Sequence, residues 1–140
     1  MVFTKDAFKK HWDSRRKADH AEAEYNLGSA LLNKGRTSEA ISHYKMAIKL
    51  NPDYADAYNN LGAALAAEGN NKEAISHYKT AIKVNPDFAQ AHNNLGVVLF
   101  HAEMTEEAID YFKGAIRIRP GFAAAQKNLE TALLRSEELE

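Results

Sequence analysis

Small and apolar residues recur at spacings of three and four along most of the chain, which is the pattern of helices with one buried face. Between residues 55 and 88 they form two runs, and the first extends from about Asp56 to Glu68 and stops near Gly69. The second run, with Asn71 as its predicted N-cap, ends at Pro86, because proline disfavours helical geometry at the residue before it. The apolar positions are Ala57, Leu61, Ala64, Leu65, Ala74, Ile75, Tyr78, Ala81 and Ile82. The pattern predicts a helical hairpin.

The same hairpin pattern occurs three times with a period of 34 residues, in segments 21–54, 55–88 and 89–122. The segments align without an insertion, and residues 123–140 begin a fourth copy. Each unit has an apolar face that it cannot bury alone, so neighbouring units are expected to stack. The recurring positions are Leu27, Leu61 and Leu95; Gly28, Gly62 and Gly96; Ala40, Ala74 and Ala108; Tyr44, Tyr78 and Phe112; Ala47, Ala81 and Ala115; and Pro52, Pro86 and Pro120.

These positions resemble those of the tetratricopeptide repeat (TPR) family. The resemblance implies an all-α fold, an α-solenoid of three helix-turn-helix repeats at 21–54, 55–88 and 89–122. An extra N-terminal helix is expected in residues 1–20, and a C-terminal capping helix with a polar tail in residues 123–140. The small residues at the Gly62 and Ala74 positions are expected to let the two helices of a repeat approach closely.

One loop departs from the repeat pattern. Gly35 and Gly69 occupy the loop between the two helices in the first two repeats, whereas Glu103 occupies that place in the third. Only glycine adopts left-handed backbone geometry freely, so the repeat pattern alone does not predict the conformation of the third loop.

Residues 1–20 differ from the repeats because they combine basic and aromatic side chains. Thr4 is a candidate N-cap, and Phe8 and Trp12 lie four apart on one helix face. One interpretation, the favoured one, is a helix whose aromatics cover the open end of the first repeat. The alternatives are docking or self-association through Phe8 and Trp12 and, less favoured, binding of nucleic acid or lipid by the basic helix. The basic residues are Lys5, Lys9, Lys10, Arg15, Arg16 and Lys17.

An asparagine recurs at the sixth position of every repeat. The TPR resemblance implies that the first helices line a concave groove and that the sixth position faces it. One asparagine amide can bond both the N–H and the C=O of a peptide residue, so a row of them could hold an extended backbone. The pattern resembles the superhelical TPR arrays of O-linked N-acetylglucosamine transferases, where such a ladder grips peptides; the alternative is plain family consensus. The ladder residues are Asn26, Asn60, Asn94 and Asn128.

Other predicted groove positions suggest the chemistry of a ligand. Asn59 and Asn93, at the fifth position, are expected to add polar reach. At the second position, Glu22 and Asp56 favour basic ligands, and the third repeat has Gln90 there. Val97 and Phe100 offer an apolar patch. We therefore expect a peptide with basic and apolar side chains.

A chaperone-tail clamp is not expected. TPR domains that bind such tails hold a terminal carboxylate with lysine and arginine at fixed groove positions, and charged donors give that grip its strength. The corresponding residues here are Tyr25, Ser29, Asn60, Gln90 and Asn94, of which only Asn60 matches.

Composition narrows the function classes further. The net charge of −1 favours neither nucleic acid nor an anionic membrane, no apolar run reaches a membrane span, and no leader is evident. The chain has no cysteine, and the spacing of His43 and His77 on adjacent helices is awkward for one metal with no further ligand in register, so neither a metal nor a cofactor is expected. No catalytic constellation is found. The sequence favours a cytoplasmic, non-catalytic adaptor that binds a peptide segment of a partner protein; the alternative is a self-associating scaffold, a homo-oligomer built through repeat ends or the N-terminal helix.

Overall fold

The computed structural model describes residues 4–140, so Met1–Phe3 of the predicted N-terminal segment lie outside the described residues. These residues form seven α-helices and no strand. None of the helices is long and apolar enough to cross a lipid bilayer. The helices are α1 (Lys5–Asn33), α2 (Thr37–Leu50), α3 (Ala55–Ala67), α4 (Asn71–Val84), α5 (Ala89–His101), α6 (Thr105–Ile118) and α7 (Ala123–Glu138).

The helices pack as hairpins in chain order. Helix α1 packs on α2, α3 on α4 and α5 on α6, and each hairpin contacts the first helix of the next. The first helices α1, α3, α5 and α7 also touch one another in sequence, whereas within residues 4–140 the second helices make no such contacts. The first helices therefore form the crowded inner side of the array, as expected for a solenoid of TPR repeats.

A glycine and an aromatic ring meet at the centre of each repeat. A Cβ added to Gly28 would lie 2.9 Å from the Tyr44 ring, and a Cβ added to Gly96 would lie 2.5 Å from the Phe112 ring. Both rings are almost completely buried. The middle repeat shows the same contact between its glycine and Tyr78. The recurring glycine thus allows the ring of the second helix to lie directly against the first helix, and the close approach of the two helices predicted at Gly62 is confirmed.

The helix caps agree with the prediction at Thr4 and differ at Asn71. The Thr4 hydroxyl oxygen accepts a hydrogen bond from the Ala7 N–H at 3.2 Å. In the middle repeat the N-cap is Asn70, whose side-chain oxygen accepts from the Glu73 N–H at 3.5 Å. The predicted cap at Asn71 was therefore wrong by one residue, because an N-cap side chain reaches the N–H three positions ahead.

The third loop keeps the geometry of the first two despite its side chain. Glu103 has φ 63°, close to φ 75° at Gly35 and 81° at Gly69. The backbone hydrogen bonds also correspond. Met104 N–H donates to the Leu99 carbonyl, just as Arg36 N–H donates to the Leu31 carbonyl in the first loop. A non-glycine residue in this region costs about 1–2 kcal/mol. Packing of the repeat therefore imposes a strained conformation on Glu103.

Replacing Glu103 with glycine is expected to stabilise the protein by about 1 kcal/mol, because the left-handed conformation then carries no steric cost. Thermal unfolding followed by circular dichroism measures this. Ala102→Gly is the matched control, since Ala102 has φ −85° and gains nothing from glycine. A melting temperature that is unchanged or lower in Glu103→Gly would contradict the assigned strain.

The N-terminal segment is helical, but it is not a separate helix and does not cap the first repeat. From Lys5 it continues without a break into the first helix of repeat 1, and residues 4–20 are all exposed. Phe8 is 57% exposed and Trp12 46%. The favoured interpretation, that these aromatics cover the open end of the repeat, is therefore corrected: they contact each other and extend away from the array.

Helix α7 closes the third repeat on one side only. Ala125 and Ala132 are completely buried against the array. On the other side Leu133 is 41% exposed and Leu134 57%. The expected capping helix is present, but its outer face is more apolar than a solvating cap requires.

Candidate functional site

The asparagine ladder is joined to the preceding repeat by side-chain hydrogen bonds. Each of the last three ladder asparagines donates one N–H to the fifth-position side chain of the repeat before it. The pairs are Asn60 to the Tyr25 hydroxyl at 3.1 Å, Asn94 to Asn59 Oδ1 at 3.1 Å and Asn128 to Asn93 Oδ1 at 3.0 Å. The ladder is thus a set of inter-repeat contacts that fixes the orientation of each amide.

The fifth-position asparagines lie buried inside the array, although they were expected in the groove. Asn59 and Asn93 are each only 6% exposed and serve as hydrogen-bond acceptors for the next repeat. They therefore do not add polar reach to the groove, because their side chains are used inside the array. They position Asn94 and Asn128 instead.

The ladder amides keep part of their bonding capacity. Asn60 Oδ1 accepts from Asn59 at 3.4 Å, and Asn94 Oδ1 accepts from Gln90 at 2.9 Å. The second N–H of Asn60, Asn94 and Asn128 makes no hydrogen bond to residues 4–140, and Asn26 is exposed. Each oriented amide can therefore still donate to one carbonyl of a ligand.

An acidic and aromatic cluster lies at the N-terminal end of the ladder. The Tyr25 ring centroid is 5.0 Å from that of Tyr54. Burial raises the pKa of Tyr25, and the negative charge of Asp56 raises it further. Burial and Tyr25 raise the pKa of Tyr54, as do the charges of Glu22 and Asp56. Carboxylates and aromatic faces together suit a cationic side chain.

An apolar cavity lies at the C-terminal end of the ladder. This cavity, called the groove cavity below, has a volume of about 160 Å³ and is bordered by two helices of the inner side, α5 and α7, and by Phe112 of α6. The groove cavity is lined by Val97, Phe100, His101, Phe112, Asn128 and Thr131.

The structure brings the predicted residues Val97 and Phe100 together in this groove cavity, next to the last ladder asparagine. The guanidinium of Arg135 lies 4.1 Å from the centroid of the Phe100 ring. The cavity is large enough for one aliphatic side chain, and Thr131 adds a hydroxyl at its edge. Sequence reasoning did not include Tyr25, Tyr54 or Thr131 in the site, although Tyr25 and Thr131 occupy groove positions of the repeat.

The histidines pair with side chains of the same repeat. His43 Nδ1 lies 2.6 Å from Glu24 Oε2, and the His77 ring stacks on Tyr58 with centroids 6.1 Å apart. The hydrogen bond from His43 lowers the pKa of Glu24. Burial lowers the pKa of His77. Both histidines therefore join the two helices of their own hairpin.

Two family models match the chain. One, described as TPR repeat, matches residues 28–69, and the other, described as tetratricopeptide repeat, matches residues 60–121. Together they span residues 28–121, which is more than half of the chain. The chain is therefore a tetratricopeptide repeat protein. No curated protein sequence matches it.

Several solved structures are similar to this one. The first TPR domain of Spaghetti, bound to the HSP90 peptide SRMEEVD, has a TM-score of 0.84 and 19% identity, covering 86% of this chain and 95% of that chain. The Arabidopsis OM64 TPR domain has a TM-score of 0.83 and 21% identity, covering 85% and 98%. MamA has a TM-score of 0.70 and 35% identity, covering 74% of this chain and 60% of that chain. The first two likenesses show the fold alone.

Proposed function

We propose that this protein is a non-catalytic interaction module that holds an extended segment of a partner protein along the asparagine ladder. The observation that carries the proposal is the row of amides fixed by inter-repeat hydrogen bonds, each with one N–H left for a ligand. Groups oriented before binding lose little conformational entropy when the ligand arrives. The resemblance to the asparagine ladders of O-linked N-acetylglucosamine transferases supports the same mode.

The two ends of the ladder favour different side chains of the bound segment. Glu22 and Asp56, beside the Tyr25 and Tyr54 rings, favour a lysine or arginine. The cavity beside Phe100 favours an aliphatic residue. The segment that fits best is therefore basic towards the first repeat and apolar towards the third.

Asn94→Ala is expected to weaken binding of a labelled basic and apolar peptide at least tenfold, because it removes a ladder amide that contacts the ligand backbone. Asn59→Ala is the comparison variant: it removes the same inter-repeat hydrogen bond but leaves the amide of Asn94 in place, so it is expected to weaken binding less than Asn94→Ala does. Fluorescence anisotropy measures the affinity, and thermal unfolding measures the shared loss of stability, about 1 kcal/mol in each variant. Equal affinities in Asn94→Ala and the unaltered protein would contradict ladder binding.

Peptide charge provides a second test. Among peptides of equal length, we expect those with lysine and leucine to bind more tightly than those with glutamate and leucine. The peptide SRMEEVD, which the Spaghetti domain binds, is expected not to bind here. At the clamp positions this chain has neutral groups such as Ser29, whose hydroxyl lies 3.1 Å from that of Tyr44. Tighter binding of the acidic peptides in parallel titrations would refute the assigned preference.

A further inference from the structure

The exposed part of α1, from Lys5 to His20 and called the extension below, has the features of a docking helix. At about 1.5 Å per residue it is about 24 Å long. The Phe8 and Trp12 rings meet edge to face, with centroids 5.9 Å apart, while both remain about half exposed. Lys5 and Arg15 lie three residues before and after this pair, on the same helix face. The extension thus presents an aromatic pair between two cations.

The outer face of α7, called the α7 face below, is an apolar surface with an acidic border. It contains the cavity of about 290 Å³, and Leu133 and Leu134 are its most exposed apolar side chains. Among the residues that line it are Ile116, Leu129, Leu133, Leu134, Glu130 and Glu137.

The repeat pattern indicates what kind of element fits the α7 face. One period earlier, the equivalents of Leu129 and Leu133 are Leu95 and Leu99, which are completely buried in the hairpin of α5 and α6. Within residues 4–140 no second helix follows α7. The α7 face is therefore shaped to receive a helix. Glu130 stands where the repeats have glycine. A helix docked on this face must therefore place a cation near Glu130 rather than pack a ring against the backbone.

The extension and the α7 face are complementary in charge. Residues 5–20 contain six basic side chains against three acidic ones, Asp6, Asp13 and Asp19. Residues 123–140 contain four glutamates against Lys127 and Arg135. Within one chain the two surfaces do not meet, because among the described residues α1 contacts only α2 and α3, and α7 contacts only α5 and α6.

We propose that the extension of one copy docks on the α7 face of a second copy, so that copies associate head to tail. Phe8 and Trp12 pack on Leu129 and Leu133, and basic side chains of the extension pair with the glutamates beside them. The two contacting surfaces are different, so each added copy leaves one surface of each kind open. The association therefore extends beyond a dimer as concentration rises.

Sedimentation velocity of the full chain over a range of concentrations tests the proposal. The mass of the unaltered protein is expected to rise with concentration, and Phe8→Ala/Trp12→Ala and Leu133→Asp are each expected to weaken association at least tenfold. Circular dichroism checks that both variants keep their helices. Met46→Asp, at an exposed residue of α2 outside both surfaces, is the matched control and is expected to associate normally.

A mixture of the two weakened variants distinguishes head-to-tail docking from other pairings. Leu133→Asp keeps an intact extension and Phe8→Ala/Trp12→Ala keeps an intact α7 face, so together they are expected to form a dimer that grows no further. A mixture that stays monomeric, or self-association of Leu133→Asp alone, would overturn the proposal. A monomer at every concentration of the unaltered protein would overturn it as well.

Charge reversal provides an independent variant with little risk to folding, since Glu130 and Glu137 are exposed. Glu130→Lys/Glu137→Lys is expected to associate at least tenfold more weakly. Added salt is expected to weaken the association of the unaltered protein as well. Association that is insensitive to both changes would contradict the charge pairing. Asn94→Ala is expected to leave association unchanged, which separates this interface from peptide binding in the groove.

Discussion

Replacement of Phe112 by alanine is expected to lower the free energy of unfolding by about 3–5 kcal/mol, the usual cost of removing a buried aromatic ring. The Phe112 ring is 1% exposed and lies against the helix at Gly96, where an added Cβ would be 2.5 Å from it. Neighbouring side chains cannot fill the space without moving whole helices. A loss of this size is a large fraction of the stability of a small domain.

Urea unfolding followed by circular dichroism measures this loss. The single tryptophan, Trp12, is unsuitable as a probe because it lies on the exposed extension. Phe100→Ala is the matched control: Phe100 is also a phenylalanine of the third repeat but is only partly buried. Comparable losses in the two variants would contradict the central role assigned to Phe112.

The fold could be predicted from the sequence because the residues that define each repeat act locally and recur in every unit. A leucine and glycine, an alanine and an aromatic residue recur in every unit, and each repeat supports the same assignment. The approximate bounds of the helices in the middle repeat and the close approach of its two helices at Gly62 were therefore predictable. The left-handed conformation of Glu103 was not, since the residue type opposes it and only packing of the whole repeat imposes it.

The site was less predictable, because its contacts join different repeats. The sequence places asparagines at the fifth and sixth positions, but it does not tell which amides meet across 35 residues. Asn59 was therefore assigned to the groove, whereas it is a buried acceptor. The exposure of Phe8 and Trp12 could not be predicted either, since two aromatics four residues apart give the same pattern whether they are buried or exposed.

Gly96→Ala is expected to destabilise the protein by about 1–3 kcal/mol, because the added Cβ would lie 2.5 Å from Cε1 of Phe112. In the Phe112→Ala background the sign is expected to reverse. The ring is then absent, and alanine is favoured over glycine in a helix by about 1 kcal/mol.

The other repeats and one loop glycine supply controls for this double-mutant cycle. The added Cβ would be 2.8 Å from Tyr78 at Gly62 and 2.9 Å from Tyr44 at Gly28, so the losses are expected to decrease from Gly96 to Gly28. Gly121→Ala, with no atom within 4 Å of the new Cβ, is expected to have little effect in either background. If the effects of Gly96→Ala and Phe112→Ala were simply additive, the ring would not be what requires glycine. A reversal of sign at Gly96 but not at Gly121 would instead show that the contact between the Phe112 ring and the helix backbone accounts for the glycine of the third repeat.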